Sequence, residues 1–309
     1  MYKEKSFTLI ELLVVIVIIG ILAGVIMIST SSSIDKANIA KSIIFADSVK
    51  NSLLTDLVAE WTFDGISGTI DSEISTVANF VADDWGTHNG TAIGSPILKN
   101  NNTCATKQCL SFNGSTDYIY VNDSADFDFR SRMSAFAWVR GDTQTKAIIA
   151  QYDYGNGQRS FLLRSNNNKL EVYISDNGTV DTDHFKRYTS TGIAFDNNWH
   201  HVGFTFDSGN LNLYIDGQVA NVTKANDYLI TSIYDSNAYL TIGSYLYNNA
   251  LNSPFLGLID DLHLYNTVLQ TSQIKQNYIA GLDSLLSHGN ISKEDYNQRI
   301  NALAYNQHE

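Results

Sequence analysis

A long apolar run near the start of the chain limits its fold more than any other feature. Residues Leu12 to Ile28 carry no charge, and a short head with Lys3 and Lys5 precedes them. A helix from Phe7 to Ile28 would rise about 33 Å, at about 1.5 Å per residue, enough to cross a bilayer. One carboxylate, Glu11, sits near the start of the run. A carboxylate in hydrocarbon is costly and needs a partner or a role. The two lysines predict a cytoplasmic head, with the bulk of the chain across the membrane. A cleaved secretory signal would require an Ala-x-Ala-like site after the run, and Ser29 to Ser33 does not supply one. A plain signal anchor leaves Glu11 without a role.

The stretch Ser6-Phe7-Thr8-Leu9-Ile10-Glu11-Leu12-Leu13-Val14-Val15 resembles the leader of type IV prepilins and pseudopilins. The resemblance implies that a prepilin peptidase cuts between Ser6 and Phe7 and methylates the new amine. It also implies that the helix waits in the bacterial inner membrane and then packs against other pilin subunits in a surface filament. Ser6 stands where that family usually has Gly. Glu11 would pair with the amine of Phe7 on a neighbouring subunit, because neither charge is tolerable alone in a bundle of low dielectric. Gly20 and Gly24 lie four apart, a small-xxx-small pattern that lets helices approach closely. No proline occurs before Pro96, so nothing in the sequence breaks this helix.

Beyond Ser33 the pattern becomes amphipathic. Ile34, Ala37, Ile43, Phe45, Val49, Leu53 and Leu57 alternate with charged residues, many at the three- or four-residue spacing of a helix face. This predicts a leader over 1–6 and one long helix over 7–58, membrane-spanning to 28 and amphipathic from 29.

The composition shifts at Glu60. From there to about Tyr265 the chain is rich in Asn, Asp, Gly, Ser, Thr and Tyr, with short alternating runs. Asp117–Val121, Ser134–Val139, Lys169–Ile174, Val202–Phe206 and Asn212–Asp216 read as strands. Asn113-Gly114, Asn177-Gly178 and Asp216-Gly217 read as turns. Many short strands at this spacing predict an all-β sandwich over 59–268.

The order of the motifs resembles the laminin-G-like, concanavalin-type jelly roll. Trp61-Thr-Phe-Asp64 is similar to its opening strand, and Leu110-Ser-Phe-Asn-Gly-Ser-Thr-Asp-Tyr118 to its next strand and turn. Ser134–Val139, Asn198-Trp-His-His-Val202, Leu213-Tyr-Ile-Asp-Gly217 and Leu240-Thr-Ile-Gly243 follow. Gly257-Leu-Ile-Asp-Asp-Leu-His-Leu-Tyr265 is similar to the closing strand. The resemblance implies a structural calcium ion tying the first strand to the last. Asp260 would supply a carboxylate, with Asp64 and the Asn113–Gly114 turn nearby. Calcium takes six to eight oxygens, so loop carbonyls suit it. Two solvated or turn-capping carboxylates are the alternative.

Over 269–309 the sequence predicts a helical hairpin. Thr271 or Ser272 would cap the first helix, and Ser292-Lys-Glu-Asp295 reads as a capping box for the second. Its docking surface, on this chain or on a partner, stays open.

Other clusters carry two readings each. Asp83-Asp84-Trp85 with His88-Asn89-Gly90 is a ligand rim or a turn-rich loop. His200 and His201 are adjacent on a strand and point to opposite faces, so they do not chelate one metal easily. One packed ring and one exposed ring is the expectation. Cys104 and Cys109 are the only cysteines and fall outside the membrane on this topology, which favours a disulfide over two free thiols.

No nucleophile elbow or phosphate-binding loop occurs, and no paired carboxylates of a glycosidase stand out, so an enzyme is not expected. The net charge of −12 argues against nucleic acid as a partner. Seventeen tyrosines suit contact with carbohydrate or protein as well as a core. The expectation is a surface-filament subunit that displays a laminin-G-like domain for adhesion to a glycan or protein. The alternative is a minor pseudopilin of a secretion system whose sandwich is purely structural.

Overall fold

The computed structural model describes residues 9–10, 12–19, 44, 48, 55–74, 80–141, 144–181 and 183–305. Residues 12–19 are helical. Ser6, Phe7, Glu11, Gly20, Gly24 and most of the amphipathic stretch lie outside the described residues. Among the described residues, no helix is long and apolar enough to cross a membrane.

Two antiparallel sheets form a sandwich. Across the first sheet the strands run Gln218–Val219, Asn210–Ile215, His200–Asp207, Arg132–Gly141, Leu256–Tyr265, Gln108–Asn113 and Ile97–Asn100, with Leu57–Trp61 also paired to Leu256–Tyr265. Across the second they run Val222–Asp227, Phe185–Ser190, Lys169–Ser175, Gln158–Asn166, Lys146–Asp153, Leu240–Ile242, Tyr118–Val121, Gly90–Ile93 and Phe80–Val81. Alternation along each strand sends one set of side chains between the sheets. Trp61, Phe112, Ile119, Val139, Phe161, Val172, Phe204 and Leu262 belong to that shared core. The glycine turns adopt positive φ, +71° at Gly114 and +82° at Gly178, as the sequence signals require.

Leu256–Tyr265 organises the first sheet. One edge pairs with Arg132–Gly141 along its length. The other edge is shared: Leu256–Ile259 faces Gln108–Asn113, and Leu262–Tyr265 faces Leu57–Trp61. The changeover falls at a bulge between Asp260 and His263, where Asp261 has φ +48°. A bulge bends a strand and re-aims its side chains.

The amphipathic pattern extends the predicted helix to 58, yet Leu57 and Val58 belong to a strand. Leu57 is four residues after Leu53, so the helical spacing runs on in sequence. Pairing with Tyr265, and burial of Leu57 against Phe136 and Tyr265, override it.

Two helices, α1 (Thr271–Ser287) and α2 (Lys293–Tyr305), close the chain. They dock on the outer face of the first sheet of this same chain, so the fold has three layers. The Tyr278 ring stacks on Trp138 at 5.6 Å, and Leu282, Leu285 and Leu303 complete an apolar cluster with them. Gly281 permits the approach: a Cβ there would lie 2.4 Å from Trp138 ring atoms. The cap of α1 falls one residue before the predicted Thr271. The Gln273 side chain accepts the Gln270 N–H at 2.8 Å. At α2 the expected box forms, with the Asp295 N–H donating to Ser292 Oγ at 3.0 Å. Gly289, at φ +74°, ends α1, and the Asn290 N–H reaches back to the Leu285 carbonyl at 2.9 Å.

Candidate functional site

Among the described residues no helix covers the outer face of the second sheet, which carries a cleft of about 250 Å³. Its floor comes from outward-facing positions on adjacent strands. Leu162 and Arg164 lie on one strand, Glu171 and Tyr173 on the next, and Arg187 on the third. Glu171 stands opposite both Arg164 and Thr189, and Tyr173 opposite both Leu162 and Arg187. Tyr152, Tyr154, Tyr245 and Phe185 complete the aromatic wall.

Glu171 is fully buried and ties this floor together. Arg164 Nε donates to it at 2.7 Å, Arg187 Nε at 2.9 Å, Thr189 Oγ1 at 2.8 Å and Asn166 Nδ2 at 3.0 Å. Burial alone would raise its pKa. The Arg164 charge and the Thr189 and Arg164 hydrogen bonds outweigh burial and hold Glu171 below the usual carboxylate range. Both guanidinium groups also lie over the Tyr173 ring, at 4.9 and 5.3 Å from its centre. At one end Arg159 lies 4.2 Å over Tyr154, and Tyr154 stacks on Tyr247 at 5.7 Å. Tyr154 and Tyr247 are 43% and 45% exposed, leaving aromatic surface open. Arg164 and Arg187 line the cleft and Arg159 lies beside it, so its described lining is positive on a protein of net charge −12. Among the described residues lining the cleft there is no carboxylate.

The sequence reading missed this site. The abundance of tyrosine is plain in the sequence, but the positions that face outward are not. The signal available was the i, i+2 pairing of Leu162 with Arg164, Glu171 with Tyr173 and Phe185 with Arg187.

The residues considered for calcium divide into two places. Asp64 and Asp260 converge on the loop at Thr106–Gln108. Asp64 Oδ1 accepts the Gln108 N–H at 2.9 Å, and Asp260 accepts the Thr106 N–H at 2.8 Å and its hydroxyl at 2.9 Å. Asp260 is fully buried, and burial with the neighbouring Asp261 charge raises its pKa well above the usual value. Asn113 and Gly114 stand at the far end of that strand, where Asn113 pairs with Leu256. Asn113 Oδ1 is occupied by the N–H groups of Ser115 and Thr116. These four residues do not form one coordination sphere, so they do not fit a single calcium ion.

Cys104 and Cys109 are joined by a disulfide, with Cα atoms 5.5 Å apart. The segment leading into the disulfide is held from two sides: Asn290 Nδ2, between the two helices, donates to the carbonyls of Asn101 and Cys104, and Trp199 Nε1 donates to that of Thr103. The Asp83–His88 cluster is a knot of internal bonds. Asp83 accepts the N–H of Glu60 at 2.8 Å and of His88 at 3.1 Å, and the His88 ring bridges Asp83 and Asp126. His201 is packed against Phe136, and burial pushes its pKa down to about 3. His200 is not free on the surface. It lies between Asp216 at 2.8 Å and Asp196 at 3.1 Å.

Comparisons with known proteins agree with this architecture. Residues 1–27 match the prokaryotic N-terminal methylation motif. The binding domain of Paraclostridial Mosquitocidal Protein 1 is 12% identical with a TM-score of 0.55, over 74% of this chain and 53% of that one. The receptor binding domain of botulinum neurotoxin C/D mosaic serotype is 14% identical with a TM-score of 0.52, over 74% and 52%. The binding domain of botulinum neurotoxin DC in complex with rat synaptotagmin II is 14% identical with a TM-score of 0.53, over 74% and 52%. The chain spans about half the length of these solved chains, and at such identity the likeness concerns the fold alone. No curated protein matches it. Residues 113–275, more than half of the chain, match the concanavalin A-like lectin/glucanases superfamily, and the chain belongs to that superfamily.

Proposed function

We propose that the protein is a subunit of a type IV pilin-like surface filament whose sandwich binds a glycan through the outer cleft. The observation that carries this reading is the row of tyrosines interleaved with Arg164 and Arg187 over a buried Glu171. Tyrosine rings offer an apolar face with a polar tip, which suits a sugar ring bearing hydroxyls. The arginines favour a sugar that also carries an acidic group. The motif at residues 1–27 supports processing by a prepilin peptidase, inner-membrane insertion and later assembly. Every side chain from Leu12 to Ile19 is exposed, and such a surface calls for lipid or other pilin helices around it.

The reading is of a binding module, not an enzyme. Glycoside hydrolysis uses two positioned carboxyl groups, and among the described residues Glu171 is the one carboxylate at the cleft floor, locked by two arginines.

The test is a glycan array probed with the full chain in detergent, wild type beside Arg187→Met and Tyr154→Ala. Binding to acidic glycans is expected, weakened at least tenfold in both variants at a temperature where each is still folded, with Arg187→Met also lowering the melting temperature because it leaves Glu171 short of a partner. No glycan binding by the wild type, with the subunit held instead in a secretion apparatus, would favour the structural pseudopilin.

A further inference from the structure

A second groove, of about 450 Å³, lies between the first sheet and α1. Glu60, Asp261 and His263 meet in it. Glu60 and His263 are directly opposed in the pairing of the opening and closing strands, both on the outer face. Asp261 is the bulge residue whose left-handed backbone aims it to the same side. His263 Nε2 is 2.8 Å from Glu60 Oε1 and 3.7 Å from Asp261 Oδ1, and one ligand atom from each residue fits within 4.8 Å of the others.

We propose that Glu60, Asp261 and His263 bind one divalent transition-metal ion of the zinc type. For metal–ligand bonds of about 2.1 Å, neighbouring ligand atoms stand roughly 3.0 Å apart in an octahedron and roughly 3.4 Å in a tetrahedron. The observed separations bracket those values. An imidazole nitrogen with two carboxylates suits zinc and its neighbours, whereas calcium and magnesium prefer oxygen alone. Asp64 also lines the groove, and the single lysine there, Lys107, is 80% exposed and reaches Asp64 at 3.2 Å. The groove is therefore rich in negative charge, which a cation offsets. None of the four residues considered for calcium is a ligand in this site. The remaining coordination positions face the open groove and take water.

The ion would join the opening strand to the closing strand. Those strands share only the pairings from Leu57–Tyr265 to Trp61–Leu262. The opening strand follows directly on the segment that enters the filament, so in the proposed assembly a metal clamp resists peeling there. This consequence rests on the filament reading, but the binding does not.

The test uses the full, tag-free chain in detergent, stripped with chelator and dialysed. Zinc is titrated against a chromophoric chelator and thermal melting is followed in parallel. One zinc per chain is expected, with a rise of about 5–10 °C in Tm at zinc a hundredfold above Kd. His263→Gln and Asp261→Asn should each weaken binding at least tenfold, and excess calcium or magnesium should not compete. Cobalt(II) added to the unmodified chain should give a visible absorption band that zinc removes, a readout that does not depend on any variant folding. Absence of saturable zinc binding and of the cobalt band, or unchanged affinity in both folded variants, would overturn the proposal. Zinc binding without glycan binding would leave the site standing and remove only the adhesin reading.

Discussion

Glu171→Gln is the sharpest test of how the cleft is built. The substitution keeps the shape of the side chain but replaces one acceptor oxygen with a donor. Glu171 accepts from Arg164 on one oxygen and from Arg187, Thr189 and Asn166 on the other. Whichever way the new amide turns, its NH₂ group faces a guanidinium, and two arginines lose their counter-charge. Breaking a buried pair destabilises by about 3–5 kcal/mol. Arg187 is 35% exposed, so water screens part of the loss and the low end, about 3 kcal/mol, is the figure to expect. At roughly 2–4 °C per kcal/mol for a domain of this size, Tm should fall by about 6–12 °C. The effect should also depend on pH. The Glu171 pKa is lowered on folding, so its contribution is complete above the ordinary value of 4.5 and is lost as pH falls through the lower folded value. Urea unfolding of both chains at pH 7 and at about pH 3 measures this. A loss under about 1 kcal/mol at pH 7, or an equal loss at both pH values, would refute the reasoning.

Four further outcomes follow from the same structure. Asp260 behaves in the opposite sense, since its pKa is raised well above 3.8. Its contribution is full below that value and declines as pH rises through the folded value, so Asp260→Asn should flatten the fall of stability with rising pH above the ordinary 3.8. Thr106→Val removes one of the two groups donating to Asp260 and should lower stability by about 1–2 kcal/mol in urea unfolding. Gly281→Ala gains about 1 kcal/mol of helix propensity but drives a methyl to 2.4 Å from Trp138. Overpacking of about 1–3 kcal/mol should win, with loss of the Trp138 near-ultraviolet signal as α1 shifts. Mature-chain sequencing should begin at Phe7 where a prepilin peptidase is present. A chain still starting at Met1 would contradict the processing.

The sandwich was legible because strand alternation and turn glycines are local signals. Ser134–Val139 and Val202–Phe206 sit inside the observed strands Arg132–Gly141 and His200–Asp207. The Ser292 box was legible for the same reason. What failed to show was tertiary. Leu57 continues a helical spacing and becomes a strand only because Tyr265 awaits it. The destination of α1 depends on a flat Trp138 on the sheet and a missing side chain at Gly281, two positions far apart in sequence. The cleft depends on register: Glu171 is an unremarkable strand residue until Arg164 and Thr189 are placed on either side of it. Asp64 and Asp260 are near one another, but register also puts Asn113 beside Leu256, away from both.

Immunogold labelling of intact cells with an antibody against the sandwich, for wild type and Glu11→Leu, tests the central claim most directly. Gold along filaments in the wild type, and gold restricted to the cell envelope in the variant, is the predicted result. Envelope-only labelling in both, or filaments labelled equally in both, would contradict the account.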